Sequence, residues 1–236
     1  MLETPLLQVS GVVKRFGGFT ALEGIDLTVS SGEIVGLIGP NGSGKTTLIN
    51  VISGLVPADK GEILLAGRSL MGMAAHRRAA AGVNRTFQVP KPFASLTVRQ
   101  NLEVAHGAGA DLDAILASVE LDQQANRPAG DLNSVSQKML DLARALVTKP
   151  RLLLVDELAC GLHPAELNRV ATRLMALAEA GMGLVVVEHL MSFIDRITHR
   201  VVVMNAGRQI FGGQMRDAAR DKAVVEVFLG APEPVQ

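Results

Sequence analysis

The chain contains no tryptophan and no tyrosine, and only 3% of it is aromatic. Its core must therefore be packed by aliphatic side chains, and 48% hydrophobic residues supply enough of them for a sizeable one. Cys160 is the single cysteine, which excludes an intramolecular disulfide and fits a reducing compartment. Such a lone cysteine is expected to be a small buried residue rather than a reactive thiol. Neither sign of charge is in excess, because 23 Lys and Arg balance 23 Asp and Glu. That balance argues against nucleic acid as the main partner, since phosphate-backbone binding needs surplus cations on one face. No apolar run approaches a membrane span. The opening MLETPLLQVS lacks the charged start and long apolar stretch of a signal peptide. The expectation is a protein that is soluble or held to a membrane only through partners. A length of 236 residues suits one large domain, or a domain with a small insert.

What the sequence does contain is Gly39-Pro40-Asn41-Gly42-Ser43-Gly44-Lys45-Thr46-Thr47, which fits G-x-x-x-x-G-K-[ST]. A buried strand is expected before it, over 33–38, and a helix after it, over 47–52. Strand, loop and helix together make a P-loop. Its glycines let successive backbone N–H groups point at phosphates, and the helix N-terminus adds partial positive charge. Lys45 would hold the β- and γ-phosphates of ATP, and Thr46 would offer its hydroxyl to Mg²⁺.

Elsewhere the pattern alternates. Leu7, Val9, Gly11 and Val13 share one register, as do Ile25, Leu27 and Val29, giving two half-buried antiparallel strands. A short strand is expected over 61–67, a helix over 74–81 and a strand over 83–87. Residues 89–133 show little strand signal and read as a small helical insert, with Thr97 and Asp111 as helix caps. Counted with the helix that follows, the insert spans about 89–148. After it, strands over 151–155, 184–187 and 201–204 alternate with a helix opened by Pro164 and ended by Gly181. Such alternation implies an α/β fold with a mostly parallel sheet and helices on both faces.

A P-loop alone cleaves nothing. Leu152-Leu153-Leu154-Val155-Asp156-Glu157 carries adjacent carboxylates out to the end of an apolar strand. Asp156 would hold Mg²⁺ through a water, and Glu157 would polarise the attacking water. Val185-Val186-Val187-Glu188-His189 ends another strand, placing His189 to help position that water. Gln88, after Thr86-Phe87, could reach Mg²⁺ and the water.

With these motifs in this order and at similar spacing, the chain resembles the ATP-binding-cassette (ABC) ATPases over nearly its whole length. The resemblance implies a single domain over 7–230, with an N-terminal antiparallel β subdomain beside the P-loop core. It makes Gln88 the glutamine loop, Gly161-Leu162-His163-Pro164 the counterpart of the D-loop, and His189 the switch histidine. It places the Phe16 ring under the adenine, where stacking is indifferent to sequence. Within the family the chain is most similar to ATPases of branched-chain amino-acid importers. That likeness is carried by Lys14–Leu22, by Arg85-Thr86-Phe87-Gln88, by Val187-Glu188-His189-Leu190-Met191, and by the tail 224–230. Related importers carry amides, urea and similar small solutes.

One segment departs from the family. Its signature loop, L-S-G-G-Q or near it, closes over the γ-phosphate held by a partner subunit. Here the segment is Asp131-Leu132-Asn133-Ser134-Val135-Ser136-Gln137-Lys138. Either Asn133 stands for the serine and Val135 for the second glycine, or a shifted alignment puts Ser134 and Ser136 in those places. Both put side chains where a phosphate needs close backbone approach. The expectation is one weakened composite site, with a second and different ATPase chain supplying the better signature, although a homodimer stays open. Leu158 and Leu190 depart from commoner proline and aspartate without removing a catalytic group. The resemblance thus implies an energy-coupling subunit on the cytoplasmic face of the membrane. It would bind permease subunits and, through them, an extracytoplasmic solute-binding protein. The rivals are a soluble ABC ATPase acting on a macromolecule, and a regulatory module without turnover.

Overall fold

The N-terminal strands form where β-branched and aliphatic residues alternate with polar ones. β1 (Leu7–Phe16) and β2 (Phe19–Val29) pair antiparallel, as expected. The expected register of β1 fails halfway. Leu7 and Val9 are buried, but Gly11 is exposed and Val12, not Val13, is fully buried. The ladder shifts between Val9 and Val12, with Gly11 at φ 58° and its N–H donating to Asp26 Oδ1 at 2.8 Å. One inserted residue moves every later side chain to the opposite face. In a computed structural model of the chain, residues 4–105 and 110–229 are described. The first three residues of the N-terminal segment and Gly230, the last residue of the expected domain, lie outside them.

β3 (Ile34–Ile38) leads into the P-loop and α1 (Lys45–Ser53). Then come β4 (Lys60–Leu65), β5 (Arg68–Ser69), α2 (Ala75–Ala80) and β6 (Val83–Arg85). The insert supplies α3 (Val98–Ala105), α4 (Leu112–Ser118) and α5 (Ser134–Leu146). Thr97 and Asp111 cap the first two as expected, Thr97 Oγ1 accepting from Gln100 N and Asp111 Oδ1 from Ala114 N. β7 (Leu152–Asp156), α6 (Pro164–Glu179), β8 (Gly183–Val187), α7 (Met191–Ile197) and β9 (Arg200–Asn205) complete the alternation. β10 (Arg208–Gly213), α8 (Met215–Ala218) and α9 (Lys222–Leu229) close the described chain.

The main sheet runs β10-β9-β3-β8-β7-β6, with β10 alone antiparallel, and a second, antiparallel sheet runs β2-β1-β4-β5. Alternate residues of the main strands serve different cores. Ile34, Ile38, Leu153, Val155, Leu184 and Val186 join the cluster formed with the insert and α6. Val35, Leu37, Leu152, Leu154, Val185 and Val187 join the one formed with α1 and the antiparallel sheet. A sheet covered on both faces explains strands that are apolar throughout. Phe193 is the one aromatic in these buried cores among the described residues, so the packing is aliphatic, as composition requires. α5 packs against α3 and α4 and also against β6, which ties the insert to the sheet.

No helix among the described residues is long and apolar enough to cross a membrane.

Candidate active site

Parallel register decides where the chemistry sits. Asp156 lies opposite Val187, and Val187 opposite Leu37. The P-loop after Ile38, Glu157 after Asp156 and His189 after Val187 therefore emerge at one edge, the carboxyl ends of adjacent strands. One cleft there is lined by Phe16, by residues 41–47, and by Glu157 and His189.

The P-loop needs its glycines for space. A Cβ on Gly39, at φ 151°, would come within 2.1 Å of the Met204 carbonyl oxygen, and one on Gly44, at φ 104°, within 2.7 Å of that of Ala21. α1 begins at Lys45, two residues earlier than expected, with Gly44 in the left-handed conformation before it. The buried Lys45 ammonium folds back on its own loop, donating to the carbonyls of Gly39 at 2.8 Å and Pro40 at 3.0 Å. Burial lowers its pKa, against the upward pull of Glu157 and then Asp156. Thr46 is exposed to the cleft.

Glu157 holds the centre. Its Oε2 accepts from Gln88 Nε2 at 2.6 Å, and its Oε1 lies 3.1 Å from His189 Nε2. The three candidates from separate strands thus meet in one hydrogen-bonded set. Glu157 adopts φ 49°, rare for a non-glycine residue, and its N–H is anchored on the Val187 carbonyl at 2.9 Å.

Asp156 is buried behind this set, and its partner was not foreseen from the sequence. Arg85 Nη2 donates to Asp156 Oδ2 at 2.9 Å, and Arg85 Nη1 to Asn50 Oδ1 on α1 at 2.5 Å. Burial raises the pKa of Asp156, opposed chiefly by Arg85. Arg85→Met would leave that carboxylate buried without a counter-charge. We expect a loss of about 3 kcal/mol of folding stability, read from urea unfolding; an unchanged midpoint would show that the pair contributes nothing. Asp156, Thr46 and Gln88 offer oxygen donors, and among the described residues no three or more His, Cys, Asp or Glu side chains are grouped so as to hold a metal ion. That donor set does not suit an all-protein cage. It fits Mg²⁺, which keeps waters and takes phosphate oxygens.

Phe16 is half-exposed at the cleft, with Lys14 Nζ 5.2 Å from its ring centroid and held by Asp59 at 2.9 Å. Phe19, not anticipated, lines the same cleft and is 62% exposed.

The signature segment is not in this cleft. Asn133 caps α5, its Oδ1 accepting from Ser136 N at 2.8 Å, and Ser134 is the first helical residue. Asn133 and Ser136 line a separate cleft with Val135, Arg169 and Arg173. Cys160 is exposed, against expectation. It sits in the loop after Glu157, outside any strand or helix, where its backbone is held and its side chain faces out.

A parallel sheet with a P-loop at one strand end and paired carboxylates two strands away defines a P-loop ATPase. The ABC transporter family model matches residues 22–159. The branched-chain amino acid transport ATP-binding proteins BraF of Pseudomonas aeruginosa and LivG of Escherichia coli are 32% and 33% identical to the chain, each match covering 97% of it and 99% of the relative. A nucleotide-free ATP-binding cassette from an ABC transporter superposes with TM-score 0.89 at 28% identity, covering 97% of this chain and 100% of that one. A cassette in its ADP conformation gives 0.86 at 28% identity, with the same coverage. The chain belongs to the ABC transporter family, as an ATP-binding subunit of the kind that hydrolyses ATP to power transport through membrane subunits.

Proposed function

We propose that this chain drives import of branched-chain amino acids or similar small polar solutes such as amides or urea. The observation that carries the ATPase part is the meeting of Lys45, Glu157, Gln88 and His189 at one sheet edge. The solute class rests on the names of the relatives. In this reading residues 7–230 form a single ABC domain, with the insert at about 89–148, held at the cytoplasmic face by permease subunits. An extracytoplasmic binding protein would deliver the solute.

Catalysis is positioning and charge stabilisation. Residues 39–47 wrap the phosphates, and the Lys45 ammonium moves from its loop carbonyls to the β- and γ-phosphates. Glu157 accepts the proton of the attacking water, oriented by His189 and Gln88. Thr46, Gln88 and Asp156 would hold Mg²⁺, which would offset the negative charge of the phosphates. Phe16 stacks on adenine. Phe16→Ala should weaken ATP binding about tenfold, near 1.4 kcal/mol, and leave turnover at saturation within about twofold. Equal affinity in a nucleotide titration would remove Phe16 from the site.

The signature segment supports a paired assembly, because Asn133, Ser134 and Ser136 lie apart from the cleft of their own chain. They would face ATP held by a second ATPase chain. Asn133 already occupies the Ser136 amide, and Val135 puts a side chain where the family has a glycine or its neighbour, so in this reading the signature is the weaker one. A paralogue would supply the better one. Mild-detergent co-purification from native membranes tests the assembly. Recovery of polytopic membrane proteins and a second ATPase is expected, and recovery of soluble proteins alone would overturn it.

A further inference from the structure

Glu157 needs more than its two side-chain neighbours to stay where it is. Its left-handed backbone is unfavourable for a side chain with a Cβ, so the loop that follows must hold it there. Two charged side chains that the catalytic reading leaves unused grip that loop. Lys138, on the second turn of α5, donates from Nζ to the carbonyl oxygens of Glu157 at 3.3 Å, of Leu158 at 3.1 Å and of Cys160. An ammonium has three N–H donors, and here each has a backbone acceptor. The buried Glu188 in turn accepts the Ala159 N–H on Oε1 at 2.5 Å. Burial raises the Glu188 pKa, and Lys138 is among the groups that oppose the rise.

Surface lysines usually lose rotamer freedom for little return. Three carbonyls taken by one ammonium is a different arrangement, because it fixes a short backbone segment. It also joins the helix that carries the signature segment to the loop that carries the base.

We propose that Lys138 is a positioning residue for hydrolysis, which with Glu188 clamps residues 157–160 and so sets the aim of the Glu157 carboxylate. This rests on Glu157 being the base. Without the ammonium the carbonyls turn to water and the loop relaxes. The reacting oxygen and the carboxylate then lose alignment, while the P-loop and its phosphate contacts are untouched. Displacements of about 1 Å at such a centre cost up to about 100-fold.

The test is ATP hydrolysis by the full chain in its purified transporter complex. Lys138→Met should lower kcat about 10- to 100-fold with KM for ATP within about twofold. Lys138→Arg, which keeps several donors, should restore most of the rate. In a Glu157→Gln background Lys138→Met should add nothing, because residues acting as one unit are not additive. Wild-type kcat in Lys138→Met, a loss carried by KM, or full additivity with Glu157→Gln would each overturn the clamp. If Glu157→Gln alone retained full turnover, the base assignment would fail instead, and the two failures are thereby distinguished. Should Lys138→Met not fold, Lys138→Gln replaces it. Its single amide reaches fewer carbonyls, so a partial loss of kcat is expected and an unchanged rate would contradict the clamp.

Discussion

Glu157→Gln should bind ATP as the native chain does and hydrolyse it at least about 100-fold more slowly. The substitution changes almost no volume, and an amide oxygen at this position can still accept the Gln88 hydrogen bond. The backbone at φ 49° is no worse for glutamine than for glutamate. What disappears is the carboxylate proposed to take a proton from water. ATP should then persist in the closed pair of ATPase chains, and gel filtration with ATP should show that pair accumulating. Full turnover in this variant would remove Glu157 from its role.

Lys45→Ala should cost about 3 kcal/mol of ATP binding, close to 100-fold in affinity. Its ammonium is partly desolvated, and two adjacent carbonyls already aim it into the loop. A charge taken out of water in advance interacts more strongly with a phosphate and needs less reorganisation when the phosphate arrives. Alanine removes the charge and also the bonds that shape the loop around Gly39 and Pro40. Calorimetric titration with ATP reads the change, and an affinity within twofold of the native chain would contradict the site as drawn.

The parts of this site that were legible in the sequence are those whose information is local. The P-loop is one continuous run between an apolar strand and a helix. The Asp156-Glu157 pair ends a continuous apolar strand, and Thr97 and Asp111 announce their helices within a turn. What was not legible depends on partners far along the chain. Arg85 finds Asp156 across 71 positions, and Lys138 reaches Cys160 across 22. Nothing in the neighbourhood of either residue marks it as paired, since Arg85 ends a strand of only three residues, Val83-Asn84-Arg85. The bulge at Gly11 defeated strict alternation because glycine admits a shift that period-two reading does not allow for. Residue type alone predicts a buried Cys160, yet it belongs to a loop whose backbone, not its side chain, is what the fold holds. β10 escaped because Arg208–Gly213 mixes charge, apolar residues and glycine, as suits an edge strand. In the signature segment α5 starts at Ser134 with Asn133 as its N-cap, a local arrangement that leaves both alignments of the segment standing.

The most direct test of the account is solute uptake in the source organism with this gene deleted and then restored. Uptake of radiolabelled leucine, isoleucine and valine, with a small amide and urea alongside, would be followed in cells. The account predicts that deletion abolishes high-affinity uptake of at least one of these, that the native gene restores it, and that the Glu157→Gln gene does not. Unchanged uptake of every solute in the deletion strain, or full rescue by Glu157→Gln, would contradict it.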